Sequence, residues 1–352
     1  VLLLAIFVDE LGFSMVTPFI PLFVRELGVK DVGDLALWSG ILFSTTTLGN
    51  SVMAPFWGAM ADRFGRKLML ARALSSVVIY SFLAAQVGTI FEFWLLRFFL
   101  GVFSGSIPLS YAIIATSSPR DQVGRAVALL QTAQIVSTAI GPLFGGPIAD
   151  MFGVRVTFYA TFAFALLSIA LLLVGYRDTP VKAAQPVADP ASPPPRRWAM
   201  IWSFLPFVFL LILAQTIERS FQPIVPLYVE QLGTPSNTTG TVAGLVVSLG
   251  AFATAISAIA FARAARKRSP YFLLLASMVA GSLLCLPIAF ARDAMQLTLL
   301  RVLLGLAAGG GISLTYSLAA RTVLAGSGTG KASFLSSGLF MGAAAGPLIA
   351  GA

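Results

Sequence analysis

The sequence predicts an all-α membrane protein made of two six-helix bundles related by a parallel pseudo-two-fold repeat, with the last helix missing from this chain. Three observations carry that expectation. Only 11% of the 352 residues are charged while 57% are hydrophobic, whereas a soluble surface of this size calls for about 25% charged residues. Apolar runs long enough to cross a bilayer core, about 20 residues each, recur eleven times along the chain. The chain also matches itself at an offset of 204–205 residues.

The spans fall in order at 1–24, 38–61, 68–91, 93–116, 126–149 and 156–176, a first bundle assigned to residues 1–176. A proline-rich stretch, "RDTPVKAAQPVADPASPPPRR", begins at Arg177. Its prolines interrupt helices and favour an extended spacer, so 177–198 reads as a linker. Spans at 199–217, 238–262, 270–291, 294–319 and 332–352 form the second bundle, 199–352, with five helices. Val1 and Ala352 both lie inside apolar runs, which reads as a fragment cut at both ends.

The repeat rests on three blocks in the same order. "PFIPLFVRELG" (18–28) aligns with "PIVPLYVEQLG" (223–233), "LLRFFLGVFSG" (95–105) with "LLRVLLGLAAG" (299–309), and "IGPLFGG" (140–146) with "AGPLIAG" (345–351). A fixed offset across separate blocks marks an internal duplication. Six spans in the first copy give both copies one orientation, a parallel repeat about an axis along the membrane normal.

Charge reports topology. Alternating the loops places 16 of the 23 Lys and Arg residues on one side and four (Arg25, Lys30, Arg155, Arg292) on the other, with Arg97, Arg219 and Arg301 inside spans. By the positive-inside rule the 58–67 loop and the linker face the cytoplasm. The net charge of +9 therefore belongs to membrane orientation and not to nucleic acid. The chain has no histidine and one cysteine, Cys285. That removes disulfide frameworks, Ser–His and Cys–His pairs and clustered metal ligands, so no metal, cofactor or catalytic group is expected. "GSGTGKAS" (326–333) departs from phosphate-loop spacing because Ala332 follows Lys331.

Several polar residues interrupt the apolar spans. "GAMADRFGRK" (58–67) places Gly58 where helices can approach, Gly65 where a tight turn needs no side chain, and Asp62 among Arg63, Arg66 and Lys67. It is either a conformational contact or a solvated loop. Arg97, Gly101, Ser104, Pro108 and Tyr111 share one face of a continuous helix, so Arg97 either reaches a central cavity or snorkels beside Glu92. Asp9 or Glu10 in the first span, and Glu218 in the seventh, sit where lipid excludes charge and are functional candidates. Glu218 alternatively pairs with Arg219. Gln215, Glu218 and Gln222 make one polar stripe, and Gln131 and Gln134 add polar groups in the fifth span. Phe13, Tyr111 and Tyr316 complete the set assigned to a substrate cavity. Gly141, Pro142, Gly145 and Gly146 bend and thin their helix, which allows a tight seam between the halves.

"GAMADRFGRK" resembles the loop signature of the major facilitator superfamily, Gly-x-x-x-Asp-Arg-x-Gly-Arg-(Lys/Arg). Asp9 with Gly12, Pro18 and Pro21 is similar to the first-helix pattern of that superfamily's bacterial drug exporters, and Arg97, Gly101 and Gly105 to its fourth-helix pattern. Gly141-Pro142-x-x-Gly145-Gly146 resembles its fifth-helix antiporter signature, with Ser137 where the signature begins with glycine. The resemblance covers essentially the whole chain and is nearest to twelve-helix multidrug/proton antiporters. It implies a monomeric inner-membrane transporter, not an enzyme, exchanging protons for lipophilic or amphipathic small molecules. A sugar or metabolite transporter of the same fold is the alternative. Proton coupling would fall to Asp9, Glu10, Glu218 and Arg97. The 58–67 loop would act as a latch, Asp62 engaging the far half near Lys331–Ser333 and Arg66 reaching Asp121, with Arg125 completing the cluster. The second copy, "ARAARKRS" (262–269), holds no acid, so the latch would exist in the first half alone.

Overall fold

The computed structural model describes residues 1–117, 122–176, 197–221, 223–265, 267–311, 314–315, 318 and 341–351; the linker lies outside them. Among these residues the regular elements are all helical. The first half comprises α1 (Leu2–Val16), α2 (Ile20–Glu26), α3 (Val32–Phe64), α4 (Arg66–Ala84), α5 (Ile90–Phe103), α6 (Ser106–Ser117), α7 (Val123–Phe152) and α8 (Val154–Gly175). The second comprises α9 (Arg197–Ser220), α10 (Val225–Gln231), α11 (Thr239–Ala264), α12 (Pro270–Ile288), α13 (Ala294–Ala308) and α14 (Met341–Gly351).

Local chemistry explains the boundaries. A 3₁₀ turn at Thr17–Phe19, containing Pro18, joins α1 to α2 in one span. Asp31 starts α3 by accepting from the Asp34 N–H at 3.1 Å, and Thr89 with Glu92 forms a reciprocal cap at the start of α5. Gly65 (φ 94°) is the whole connection between α3 and α4, and Gly153 (φ 86°) between α7 and α8. Only glycine takes that backbone readily.

Seven spans among the described residues are long and apolar enough to cross a membrane: α1–α2, α4, α5–α6, α7, α8, α11 and α12. The bent pair α9–α10 can make an eighth. The expected second span is the departure. α3 has ample length at 33 residues, but Ser44-Thr45-Thr46-Thr47 and Asn50-Ser51 make its middle too polar for the same criterion. α13 and α14 are shorter apolar helices in the expected tenth and eleventh spans.

Small hydroxyls stitch α1 into its bundle. Ser137 of α7 donates to the Phe7 carbonyl (2.9 Å), and Thr161 and Ser168 of α8 donate to Gly12 (2.7 Å) and Ala5 (2.8 Å). In an apolar surround, such bonds spare a hydroxyl the cost of burial without a partner. Phe23 meets Phe93 edge-on at 5.0 Å and Phe158 at 4.9 Å, an aromatic core at the same end as the Gly28 turn.

Besides a contact of α2 with α10, two helix seams join the halves among the described residues. α7 packs on α11, where Gly146 faces the Gly240 backbone and Gly244 faces the Pro142 carbonyl. α3 meets α14, where Gly40 faces Pro347 and the Ser44 hydroxyl donates to the Ala344 carbonyl at 2.5 Å. Each contact lies in the part of its helix nearer the Gly28, Gly153 and Gly233 turns. That end is closed.

Candidate functional site

α1 carries two adjacent acids, and the structure separates their surroundings. Asp9 is 3% exposed and accepts from the Ser106 hydroxyl at 3.4 Å through Oδ2, while Oδ1 has no hydrogen-bond partner. Glu10 is half-buried, and the cation whose field reaches it is Arg219 of α9. Neighbouring residues on a helix point about 100° apart. Asp9 therefore addresses its own bundle, and Glu10 feels the other half.

The charge of Glu218 is felt at Arg301 of α13 and at Cys285 of α12, so its field reaches across the second bundle beyond adjacent Arg219. Arg301 is 8% exposed, with its Cζ 4.4 Å from the centre of the Phe221 ring.

Arg97 departs from the sequence expectation. It is 2% exposed, with Cζ 5.1 Å from the Phe43 ring centre, 5.7 Å from Phe93 and 5.8 Å from Tyr80. Its Nη1 donates to Thr46 Oγ1 at 3.4 Å, and Nε and Nη2 lack partners. The guanidinium thus lies in an aromatic cage between α3, α4 and α5, and cation–π attraction offsets part of its desolvation. Asp9 is not among its neighbours. The single continuous face from Arg97 to Tyr111 is also interrupted, because the helix breaks at Gly105 (φ 107°).

The glycine–proline segment of α7 is split between two neighbours: Gly141 and Gly145 meet α1 of the same half, while Pro142 and Gly146 meet α11 of the other. Ser14 occupies the space beside Gly141, and the Met15 carbonyl the space beside Gly145. Pro142 and Pro147 both lie within the helix. Ser137 adds hydrogen bonding: besides its own bond to Phe7, its carbonyl accepts from Ser14 Oγ at 2.8 Å.

In the 58–67 loop Gly65 makes the tight turn as expected, but Gly58 does not. It is exposed, and a side chain there would meet nothing within 4 Å among the described residues. Arg63 is exposed beside the Phe64 ring, Arg66 is half-buried, and Lys67 donates to the Leu173 carbonyl at 2.8 Å. The side chains of Asp62 and Arg125, together with Asp121 and Lys331–Ser333, lie outside the described residues.

Of the cavity set, the Tyr111 hydroxyl donates to Gln134 Oε1 at 3.2 Å, and Gln134 Nε2 is buried without a partner. Gln215 is buried against Gly342, Phe13 packs partly buried on the core, and Gln131 is exposed. Gln222 and Tyr316 lie outside the described residues.

Two contacts at the closed end were not anticipated. Asp150, near the end of α7, accepts from the N–H groups of Gly240 (2.8 Å) and Thr241 (2.6 Å) and from Thr241 Oγ1 (2.6 Å). An acid from one half thus caps a helix of the other, complementing the positive end of α11. Beside it Arg25 pairs with Glu230 at 2.7 Å. These two residues are repeat mates, 205 positions apart, and opposite charges at matched positions were a signal available in the sequence. Mates meet when they lie beside the pseudo-two-fold axis.

Parallel helical bundles closed on each other at one end, with ionisable groups buried in their spans, define a multi-pass membrane transporter. Residues 2–295 match the Major Facilitator Superfamily, and the chain belongs to that family of transporters rather than to enzymes. It is 36% identical over 311 residues to the multidrug resistance protein MdtG of Enterobacter lignolyticus, covering 86% of this chain and 72% of that one. With MdtG of Serratia proteamaculans it shares 37% over 314 residues, covering 87% and 74%. Among solved structures, a bacterial homologue of the human lysosomal transporter Spinster, inward-facing and occupied, matches with TM-score 0.77 at 15% identity, over 99% of this chain and 79% of that one. A D-xylose–proton symporter matches with TM-score 0.70 at 15% identity, over 99% and 88%. At these identities the structures share the fold.

Proposed function

We propose that this transporter exports lipophilic or amphipathic small molecules in exchange for protons across a bacterial inner membrane. In this reading it works as a monomer, with the 58–67 loop and the linker on the cytoplasmic side. The observation that carries the reading is the Asp9 carboxyl, buried within a chain similar to MdtG and left with one oxygen unpartnered. A carboxyl in a dry site holds its proton, and hydration of the site favours release.

The conformation fits the cytoplasm-facing half of such a cycle. Asp150 and the Arg25–Glu230 pair join the halves at the end away from the 58–67 loop, which in this reading is the outer end. Substrate would enter from the side of the loop. Glu10, within the field of Arg219, and Glu218, whose field reaches Arg301, are the acids a cationic substrate would address. Asp62, engaging the far half near Lys331–Ser333, and Arg66, reaching Asp121 with Arg125, would latch the loop in the opposite conformation.

The test is efflux of a panel of lipophilic dyes from cells making the full-length protein. Active extrusion abolished by a proton uncoupler supports the reading. Extrusion indifferent to the uncoupler, or no extrusion of any dye, contradicts it.

A further inference from the structure

The fourth span breaks for reasons the sequence makes plain. Pro108 has no N–H to offer the Ser104 carbonyl, and its ring crowds that carbonyl in a continuous helix. Gly105 takes φ 107°, a conformation strained for any side chain. The break leaves backbone carbonyls at the end of α5 in a membrane interior, where each unsatisfied group is costly. Side chains meet that need. Trp57 Nε1 donates to the Val102 carbonyl at 2.7 Å, and Arg72 donates to Phe103 (Nη1, 2.5 Å) and Ser104 (Nη2, 3.4 Å). The Arg72 guanidinium lies 3.6 Å from the Trp57 ring centre, and Asn50 Oδ1 accepts from Ser104 Oγ at 2.8 Å.

These holders sit on α3 and α4, the two arms of the 58–67 turn. Trp57 directly precedes Gly58, and Arg72 lies two turns beyond Gly65. Across the break, α6 starts at Ser106, whose hydroxyl donates to Asp9. The positive end of a half-helix thus lies beside a 97%-buried carboxyl with one oxygen unpartnered, the arrangement by which discontinuous helices hold anions in membranes. The only charged group among the described residues whose field reaches Asp9 is Glu10, on the same helix. The helices packed on α1 meet it through neutral hydroxyls, Ser106 of α6, Ser137 of α7, and Thr161 and Ser168 of α8.

We propose that the Gly105 break mechanically couples the 58–67 loop to Asp9, with Trp57 and Arg72 as positioning residues that fix the α5 side and Ser106 as the contact on the α6 side. A movement of the loop carries α3 and α4, displaces the carbonyl end of α5, and changes how the start of α6 meets the carboxyl. Coupling free energy is reciprocal, so a proton arriving on Asp9 loosens its hold on α6 and is felt at the loop. This inference rests on the reading of Asp9 as the proton-carrying group.

The test uses the full-length protein in liposomes, with Cys285→Ser removing the native thiol and Ala59→Cys, on the exposed loop arm, reporting loop accessibility by its labelling rate from pH 5 to 9. The labelling rate should change about fivefold or more through one pH midpoint, and Asp9→Asn should abolish the change. In Arg72→Met, Trp57→Phe and Gly105→Ala the pH response should flatten to less than half. Ser106→Ala should move the midpoint up by about one unit, and Ser106→Thr should restore it. Wild-type pH responses in folded Arg72→Met and Trp57→Phe would overturn the coupling, whether or not Gly105→Ala folds. A wild-type response in Asp9→Asn would instead overturn the underlying reading of Asp9.

Discussion

The fourth and tenth spans began as the same helix and now differ where it matters. Arg97, Gly101 and Gly105 correspond to Arg301, Gly305 and Gly309 at an offset of 204. Both arginines are buried, and both middle glycines admit a neighbouring backbone, Thr46 against Gly101 and Gly250 against Gly305. Yet Gly105 breaks its helix at φ 107°, while Gly309 stays right-handed at φ −60°, ψ −22°. The position matching Pro108 is Ile312, and those matching Trp57 and Arg72 are Phe261 and Ala276. The second copy ends α13 at Ala308 without a left-handed glycine, and lacks both the proline and the matching donors. The two copies share a scaffold and differ in a few polar residues.

The arginines differ in the same way. Arg97 lacks an acid in its cage, whereas Arg301 lies within the field of Glu218. The largest effect expected from this contrast is in stability. Arg301→Met removes a buried cation whose field reaches half-buried Glu218 and should lower thermal stability in detergent, read as a lower melting temperature. Arg97→Met replaces a caged cation by an apolar chain and should leave thermal stability in detergent unchanged or raised. Equal losses from both would erase the contrast.

At the closed end, Asp150→Ala should cost about 1–2 kcal/mol as a lost helix cap, shifting the balance toward a form open at this end roughly tenfold. Thiol labelling of the seam between α7 and α11 would register it. Arg25→Ala removes a pair about one-third exposed, so water screens it and less than about 1 kcal/mol is expected. Exchanging the two charges, Arg25→Glu with Glu230→Arg, should recover whatever is lost.

The smallest effect sharpens the difference between seam and loop glycines. Gly58→Ala meets open space and should change stability by less than about 1 kcal/mol, a gain if helix propensity dominates. Gly101→Ala would push a methyl into the Thr46 backbone and should destabilise clearly, read as a lower melting temperature.

Hydropathy and the repeat made the architecture legible, because membrane helices announce themselves by length and apolarity. The seam glycines were legible for a similar reason, since close approach demands a missing side chain. Arg97 misled because a 3.6-residue period was carried through Gly105 and Pro108, the residues that end it. Asp150 was hidden since its partners are backbone N–H groups of a distant helix, which leave no mark in residue identity. The Arg25–Glu230 pair was readable only by comparing charges across the repeat.

Substrate-induced proton release from the purified full-length protein in weakly buffered detergent solution tests the central claim most directly. Wild type should release protons when a transported dye is added, and Asp9→Asn should release none while still binding the dye. A wild-type release signal from Asp9→Asn would contradict the assignment of Asp9 as the group that exchanges its proton for substrate.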